Sequence, residues 1–293
     1  MKGQNSTSRL HRATLFDGVI YLILTLVTVL CIIPILYVIT ASVAPPEDAM
    51  ASNFRLLPSS IDWTAYQYLI SSETLFRSIG VSLFITLVGT VINMVLTVLT
   101  AFPLSRKTLP GRRVLNLLVV FTMLFNGGMI PTYLVVSSLG MLDTYWALWI
   151  PGAISAFNMI ILRNSIQGLP EELIDAAKID GCGEWRTLST IILPLTKASL
   201  ATFTLFYAVG HWNSYFSAIL YIKNTDMWPI QVWLRQIVME AGGFGDTIND
   251  IGYIPPQSIQ YAVIVFATLP ILVVYPFVQK YFTKGILVGS VKG

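Results

Sequence analysis

The chain has 293 residues, of which 55% are hydrophobic and 11% charged, with a net charge of +3. A soluble domain of ordinary composition carries roughly 25% charged residues. This balance excludes a soluble globular enzyme, a disordered tail and a nucleic-acid binder built on a basic patch, and makes a bilayer the solvent for most of the chain.

Stretches without Asp, Glu, Lys or Arg cover 18–46, 78–105, 114–142, 144–162, 198–222 and 251–279, together 159 residues. An α-helix needs roughly 20 mostly apolar residues to cross about 30 Å of hydrocarbon, and each stretch is long enough. Barrel strands are disfavoured, because Leu22-Ile23-Leu24-Thr25-Leu26-Val27 lacks the required alternation. The expectation is an all-α polytopic membrane protein, a single domain over 1–293. Its six spans are placed at about 16–42, 78–105, 114–138, 144–162, 198–222 and 259–281.

The first span follows basic residues and precedes Ser42-Val43-Ala44, as a secretion signal would. Its apolar run far exceeds the roughly 7–15 residues of a signal core, so it is read as an uncleaved span. The next segment carries Pro45-Pro46, Trp63, Tyr66 and Tyr68, and its aromatic residues suit a membrane interface. Arg106, Lys107, Arg112 and Arg113 crowd the short connection between spans two and three. Counting alternate sides, 14 basic residues share a side with both termini and 4 lie opposite. The positive-inside rule therefore places both termini in the cytoplasm. Residues 163–197 become a cytoplasmic loop and 223–258 an external one. In the external loop, Pro229 to Ala241 spaces Ile230, Trp233, Leu234, Ile237 and Val238 as an amphipathic helix would. Gly242, Gly243, Phe244 and Gly245 follow as a flexible tip.

Polar side chains within the spans are Asn93, Asn116, Asn126, Asn158, His211 and Asn213. Such groups face a bundle interior or a watery path, or bond one helix to another. His211-Trp212-Asn213 offers stacking and hydrogen bonding, as sugar sites do. Asn126, Asn158, His211, Trp212 and Asn213 are therefore candidate path residues, with helix–helix bonding as the competing role. No Gly-Lys pair exists, so there is no phosphate-binding loop of the GxxxxGK[ST] form. Cys31 and Cys182 lie too far apart across the membrane to pair, and no metal-ligand or nucleophile constellation is visible. The six charge-free stretches offer no carboxylate, Lys or Arg to a coupling site, which disfavours proton coupling. A stand-alone secondary transporter would need an intramembrane coupling site. A membrane enzyme acting on lipids would need a catalytic cluster at one interface.

The 163–197 segment is long for a connection, since most are about 2–8 residues. Pro170 suits a first helical turn, Glu171 and Glu172 suit the positive end of a helix dipole, and Gly181 suits the position after the last turn. A helix of about three turns is predicted, then a second from Glu184 to Leu193 stopped by Pro194. Asp175, Ala176 and Ala177, then Gly181, Ile191, Leu193 and Pro194 follow the spacing E-A-A-x3-G-x9-I-x-L-P, with Asp in place of the first Glu. This resembles the EAA loop of ABC importer permeases. The tail from Gln279 to Gly293 is similar to carbohydrate permeases of the maltose-permease type, and the likeness extends over nearly the whole chain. Within that group it looks closest to oligosaccharide permeases, including those for uronic-acid chains such as alginate.

That resemblance implies a transport subunit, not an enzyme, forming half of a carbohydrate path in the bacterial cytoplasmic membrane. It implies a second homologous permease, two ATP-binding subunits carrying ATP and Mg, and an external solute-binding protein. This chain itself needs no cofactor, metal or nucleic acid. Asp175, Ala176, Ala177, Gly181, Glu184, Ile191, Leu193 and Pro194 would form the ATPase-coupling element, with the alanines and glycine permitting close approach. Lys292 and Gly293 would touch the ATPase pair, and Gly242 to Gly245 the binding protein.

Overall fold

The computed structural model describes residues 15–45, 48, 57–241 and 256–290. Every regular element among them is a helix: α1 (Leu15–Ser42), α2 (Thr64–Ser71), α3 (Glu73–Ser105), α4 (Arg112–Leu124), α5 (Met129–Ser138), α6 (Trp146–Trp149), α7 (Ala156–Gln167), α8 (Glu171–Ile179), α9 (Glu184–Thr187), α10 (Lys197–Trp212), α11 (Phe216–Tyr221), α12 (Ile230–Ala241) and α13 (Pro256–Ser290). Helix α1 and the whole of α3 are each long and apolar enough to cross a membrane. Leu22, Leu24, Leu26 and Leu30 of α1 all stand exposed. An apolar surface of that extent is stable in lipid rather than water.

The chain divides into two units. In the first, Met1–Gln67 with Ile248–Val265, α1 ends at Ser42, whose hydroxyl lies 2.7 Å from the Tyr66 hydroxyl. The Asp62 N–H donates to the Val43 carbonyl at 2.9 Å, and Tyr37 meets Tyr261 edge-on at 5.8 Å.

The second unit, Tyr68–Thr247 with Phe266–Gly293, is organised along α3. Ser72 caps this helix, accepting from the Leu75 N–H. The buried face of α3 carries Ser78, Ser82, Ile85, Gly89, Asn93, Thr97, Ala101 and Ser105. These recur three or four residues apart, so one stripe runs the helix length. Small and polar residues belong there because, in lipid, helices associate through close backbone approach and hydrogen bonds. One core packs on the Ser105 end, with Ala101, Phe102, Met159, Leu162, Ile192 and Phe203 buried. Another packs nearer the start, with Ile85, Val136, Leu148, Trp149, Tyr221 and Val232 buried.

Three predicted spans differ from continuous helices. The 114–138 stretch is α4 and α5, bent by 115°. Asn126 Oδ1 accepts from the Gly128 N–H at 2.8 Å, and Gly128 takes φ +87°, a conformation open to glycine. The 144–162 stretch breaks between α6 and α7, where Pro151 and Gly152 stand. The 198–222 stretch breaks between α10 and α11 at Asn213-Ser214-Tyr215. Absence of charge marks apolar surroundings; it does not mark where the backbone turns.

Candidate functional site

The 163–197 loop folds as two short helices. Glu171 and Glu172 open α8, and Lys178 sits in its last turn, each complementing the helix dipole. The helix closes with a Schellman pair: Cys182 N–H donates to the Ala177 carbonyl at 2.8 Å and Gly181 N–H to Lys178 at 3.0 Å. Gly181 takes φ +76°, yet a Cβ there would meet nothing within 4 Å. Its glycine answers a backbone requirement of this chain, and no close neighbour demands it. Gly181→Ala is expected to cost about 1 kcal/mol, the scale of one residue forced left-handed, and Gly181→Asn less. Thermal melting of the purified chain checks this; equal melting temperatures for glycine and alanine would contradict the backbone argument.

The second helix continues past the predicted stop at Pro194. Glu184–Thr187 passes into a π-turn, Leu188–Ile192, then Leu193–Leu195. Leu193 N–H reaches back five residues to the Leu188 carbonyl. The wider turn accommodates Pro194, which has no N–H and would collide with a tighter one. The chain then bends by 84° into α10.

The structure divides the predicted coupling residues into two groups. Asp175, Ala176, Gly181 and Pro194 are exposed. Ala177 is 3% exposed, so its small size serves packing inside this chain. Leu193 packs against the core at the Ser105 end, and Ile191 is half-buried. Glu184 is engaged internally, accepting from Arg106 at 3.0 Å. Lys107 pairs with Glu171 at 2.5 Å, and Gln167 donates to the Ser105 carbonyl at 3.3 Å. These contacts tie the loop to the end of α3. Lys107, by its hydrogen bond and its charge, holds the Glu171 carboxyl below the usual carboxylate range. A lowered pKa stabilises above the ordinary value and fades as pH falls through the folded one, so acid loosens this tie and neutral pH leaves it intact.

Ile179 is 86% and Trp185 74% exposed. Neither is among the residues picked from the sequence motif. The signal was there: two large apolar residues in a segment whose charges place it in water.

The candidate path residues are not gathered into one site. Trp212 is buried and donates from Nε1 to the Ala267 carbonyl at 3.0 Å. Asn126 serves the α4–α5 turn. Asn158 is buried in the first turn of α7, where its N–H meets Ser155 Oγ at 3.4 Å. Asn213 is exposed beyond the end of α10. His211 Nε2 lies 3.0 Å from Asn93 Oδ1, and Asn93 Nδ2 donates to the Gly152 carbonyl at 3.1 Å. One turn along, Thr97 and Tyr207 hydroxyls meet at 2.7 Å, and Tyr207 also accepts from the Ser155 N–H. For His211 the geometry is that of helix–helix bonding. The period-four polar stripe of α3, visible in the sequence, was the signal for these partners.

At the opposite end of α3 the 223–241 part of the other loop is firmly anchored. Asp143, at φ +57°, accepts from the Lys223 and Asn224 N–H groups at 2.9 Å. Arg77 pairs with Asp226 at 2.6 Å. Helix α12 forms as predicted, but Ile230 and Val232 are fully buried and Ile230 N–H donates to Ser82 Oγ at 2.8 Å. It packs on protein as well as presenting a surface. Gly242 to Gly245, Lys292 and Gly293 lie outside the described residues.

Comparison with known proteins gives consistent matches. The family described as "Binding-protein-dependent transport system inner membrane component" matches residues 11–288. The "Polygalacturonan/rhamnogalacturonan transport system permease protein YtcP" of Bacillus subtilis (strain 168) is 50% identical over 282 residues, 95% of this chain and 99% of that protein. A chain in the crystal structure of a bacterial ABC transporter involved in import of the acidic polysaccharide alginate matches at 31% identity and TM-score 0.84, over 94% of this chain and 100% of that one. A chain from a bacterial alginate ABC transporter in complex with alginate pentasaccharide-bound periplasmic protein shares the fold, with TM-score 0.59 at 16% identity, covering 92% and 96%.

Proposed function

This chain belongs to the binding-protein-dependent transport system inner membrane component family, and from that premise we propose that it forms half of an ATP-driven import path for uronate-rich oligosaccharides. The identity of 50% along 95% of the chain with a polygalacturonan/rhamnogalacturonan permease carries this reading. The alginate importer adds to it, since alginate and polygalacturonan are both uronic-acid polymers. A permease subunit of this kind is not itself an enzyme.

In this reading six spans cross the bacterial cytoplasmic membrane and both termini are cytoplasmic. A second permease completes the path, an external binding protein delivers the oligosaccharide, and two ATPase subunits with ATP and Mg drive it. The α8–α9 element docks on an ATPase through Asp175, Ala176, Ile179 and Trp185. Three observations support that role: the exposure of these residues, the ties of the element to α3, and its link to α10 through a single bend of 84°. Displacement of this element by ATPase closure would reach α3 through the Arg106 and Lys107 pairs and α10 through the 84° bend.

The test is reconstitution of the complete importer in proteoliposomes with its binding protein and labelled oligogalacturonate. Uptake is expected only with ATP inside and the ATPase present. Uptake by this chain without an ATPase would overturn the reading, as would uptake that does not distinguish oligogalacturonate from a neutral oligosaccharide of equal length.

A further inference from the structure

Helix α10 begins two residues after the α8–α9 element ends at Leu195, and His211 is its next-to-last residue. At 1.5 Å per residue, about 20 Å of unbroken helix separates them. Along that length α10 packs on α3, the most extensive helix pairing among the described residues. The approach at Gly89 is tight: a Cβ built there would lie 2.5 Å from His211 Nε2, 2.7 Å from Cε1 and 2.8 Å from Cδ2. The ring therefore rests directly on the α3 backbone. Its Nε2 meets Asn93 Oδ1 at 3.0 Å, and the Asn93 amide holds the Gly152 carbonyl at 3.1 Å. Gly152 follows Pro151 in the break between α6 and α7, where helical hydrogen bonding is interrupted and a carbonyl needs a donor. Three interrupted or crossing elements thus converge on two side chains and one missing Cβ.

We propose that Gly89, Asn93 and His211 form a positioning joint that passes movement of the α8–α9 element, carried along α10, to α3 and to the α6–α7 break. This deepens the import reading and rests on it. His211 acts here through Asn93 and does not touch the transported sugar. Gly89 supplies the contact that stops the ring from sliding, and Asn93 divides its amide between two elements so that neither moves alone.

The experiment uses the complete reconstituted importer with its loaded binding protein, and measures oligosaccharide uptake and ATP hydrolysis together. For His211→Ala, assembly and hydrolysis are expected to persist while maximal uptake per ATP falls by about tenfold, the scale of one lost hydrogen bond with its buried partner left unpaired. The concentration giving half-maximal uptake is expected to stay put. His211→Gln, which can still donate to Asn93 Oδ1, is expected to return uptake to within about threefold of the parent, on the same scale. Unchanged uptake in His211→Ala would overturn the joint. A raised half-maximal concentration at unchanged maximal rate would also overturn it, by making His211 a sugar contact. Loss of assembly in both variants would reduce it to a folding role. The parent importer run in parallel separates these results from failure of the import reading, which would appear there as uptake independent of the ATPase.

Discussion

Ala177→Glu is expected to abolish recovery of folded permease, whereas its neighbour Ala176→Glu leaves the chain folded and strips it of its ATPase. The two alanines are adjacent in the motif and opposite in surroundings. Ala177 is 3% exposed within this chain; Ala176 is exposed. A carboxylate placed at 177 lands in a packed site, and burying an unpaired charge costs several kcal/mol. That is a large part of the roughly 5–15 kcal/mol that holds a domain folded. At 176 the same side chain points to solvent, where substitutions stay within about 0.5 kcal/mol. Its bulk and charge would be felt only by a surface laid against α8. Size-exclusion profiles in detergent report the first effect, and co-purification of tagged ATPase reports the second. An Ala176→Glu permease that keeps its ATPase in full would remove α8 from the interface.

Gly89→Leu is expected to be as damaging, for a steric reason. A Cβ at 89 already falls inside the van der Waals envelope of the His211 ring, at 2.5 Å from Nε2, and leucine adds three further carbons. Forcing atoms into a packed crossing costs about 1–3 kcal/mol, and more where backbone must move. Here the opposing surface is a ring pinned by Asn93, so α3 and α10 must separate. The milder Gly89→Ala permits a sharper test. Combined with His211→Ala, it should regain part of the stability that Gly89→Ala alone loses, because the clash disappears with the ring. Melting temperatures of the four proteins form a double-mutant cycle. Additive losses would mean that the ring does not rest on Gly89.

Several elements were legible because composition and periodicity report directly on surroundings. The first apolar run was read as one helix over about 16–42, and the helix α1 runs Leu15–Ser42. Pro170, the paired glutamates and Gly181 bounded α8 correctly, since each answers a local backbone or dipole demand. The motif spacing singled out one loop, which folds as a helical element. It could not divide Ala176 from Ala177, because on a helix adjacent residues point about 100° apart and only the neighbouring surface decides which is covered. Nor could it show that Glu184, exposed as an interface residue would be, also accepts from Arg106, 78 positions earlier in the chain.

The path residues illustrate the opposite case. His211, Trp212 and Asn213 are consecutive, and proximity in sequence suggested one site. The fold sends them three ways: His211 to Asn93, Trp212 to the Ala267 carbonyl, and Asn213 to the surface. A helix end spreads neighbouring side chains around its axis, so shared chemistry in sequence need not become a shared cavity.

The sequence by itself determined the apolar character, the helical class and the charge-rich segment between two of the apolar runs. Each follows from how few charges there are and where they stand. Only the tertiary structure decided where the apolar runs break, which motif residues remain available to a partner, and what the few polar groups in the spans bind. Those outcomes depend on contacts between residues as distant as Asn93 and His211, 118 positions apart. Charge scarcity acts residue by residue and can be read along a line. A buried hydrogen bond needs two partners brought together, and that is settled only when the helices pack.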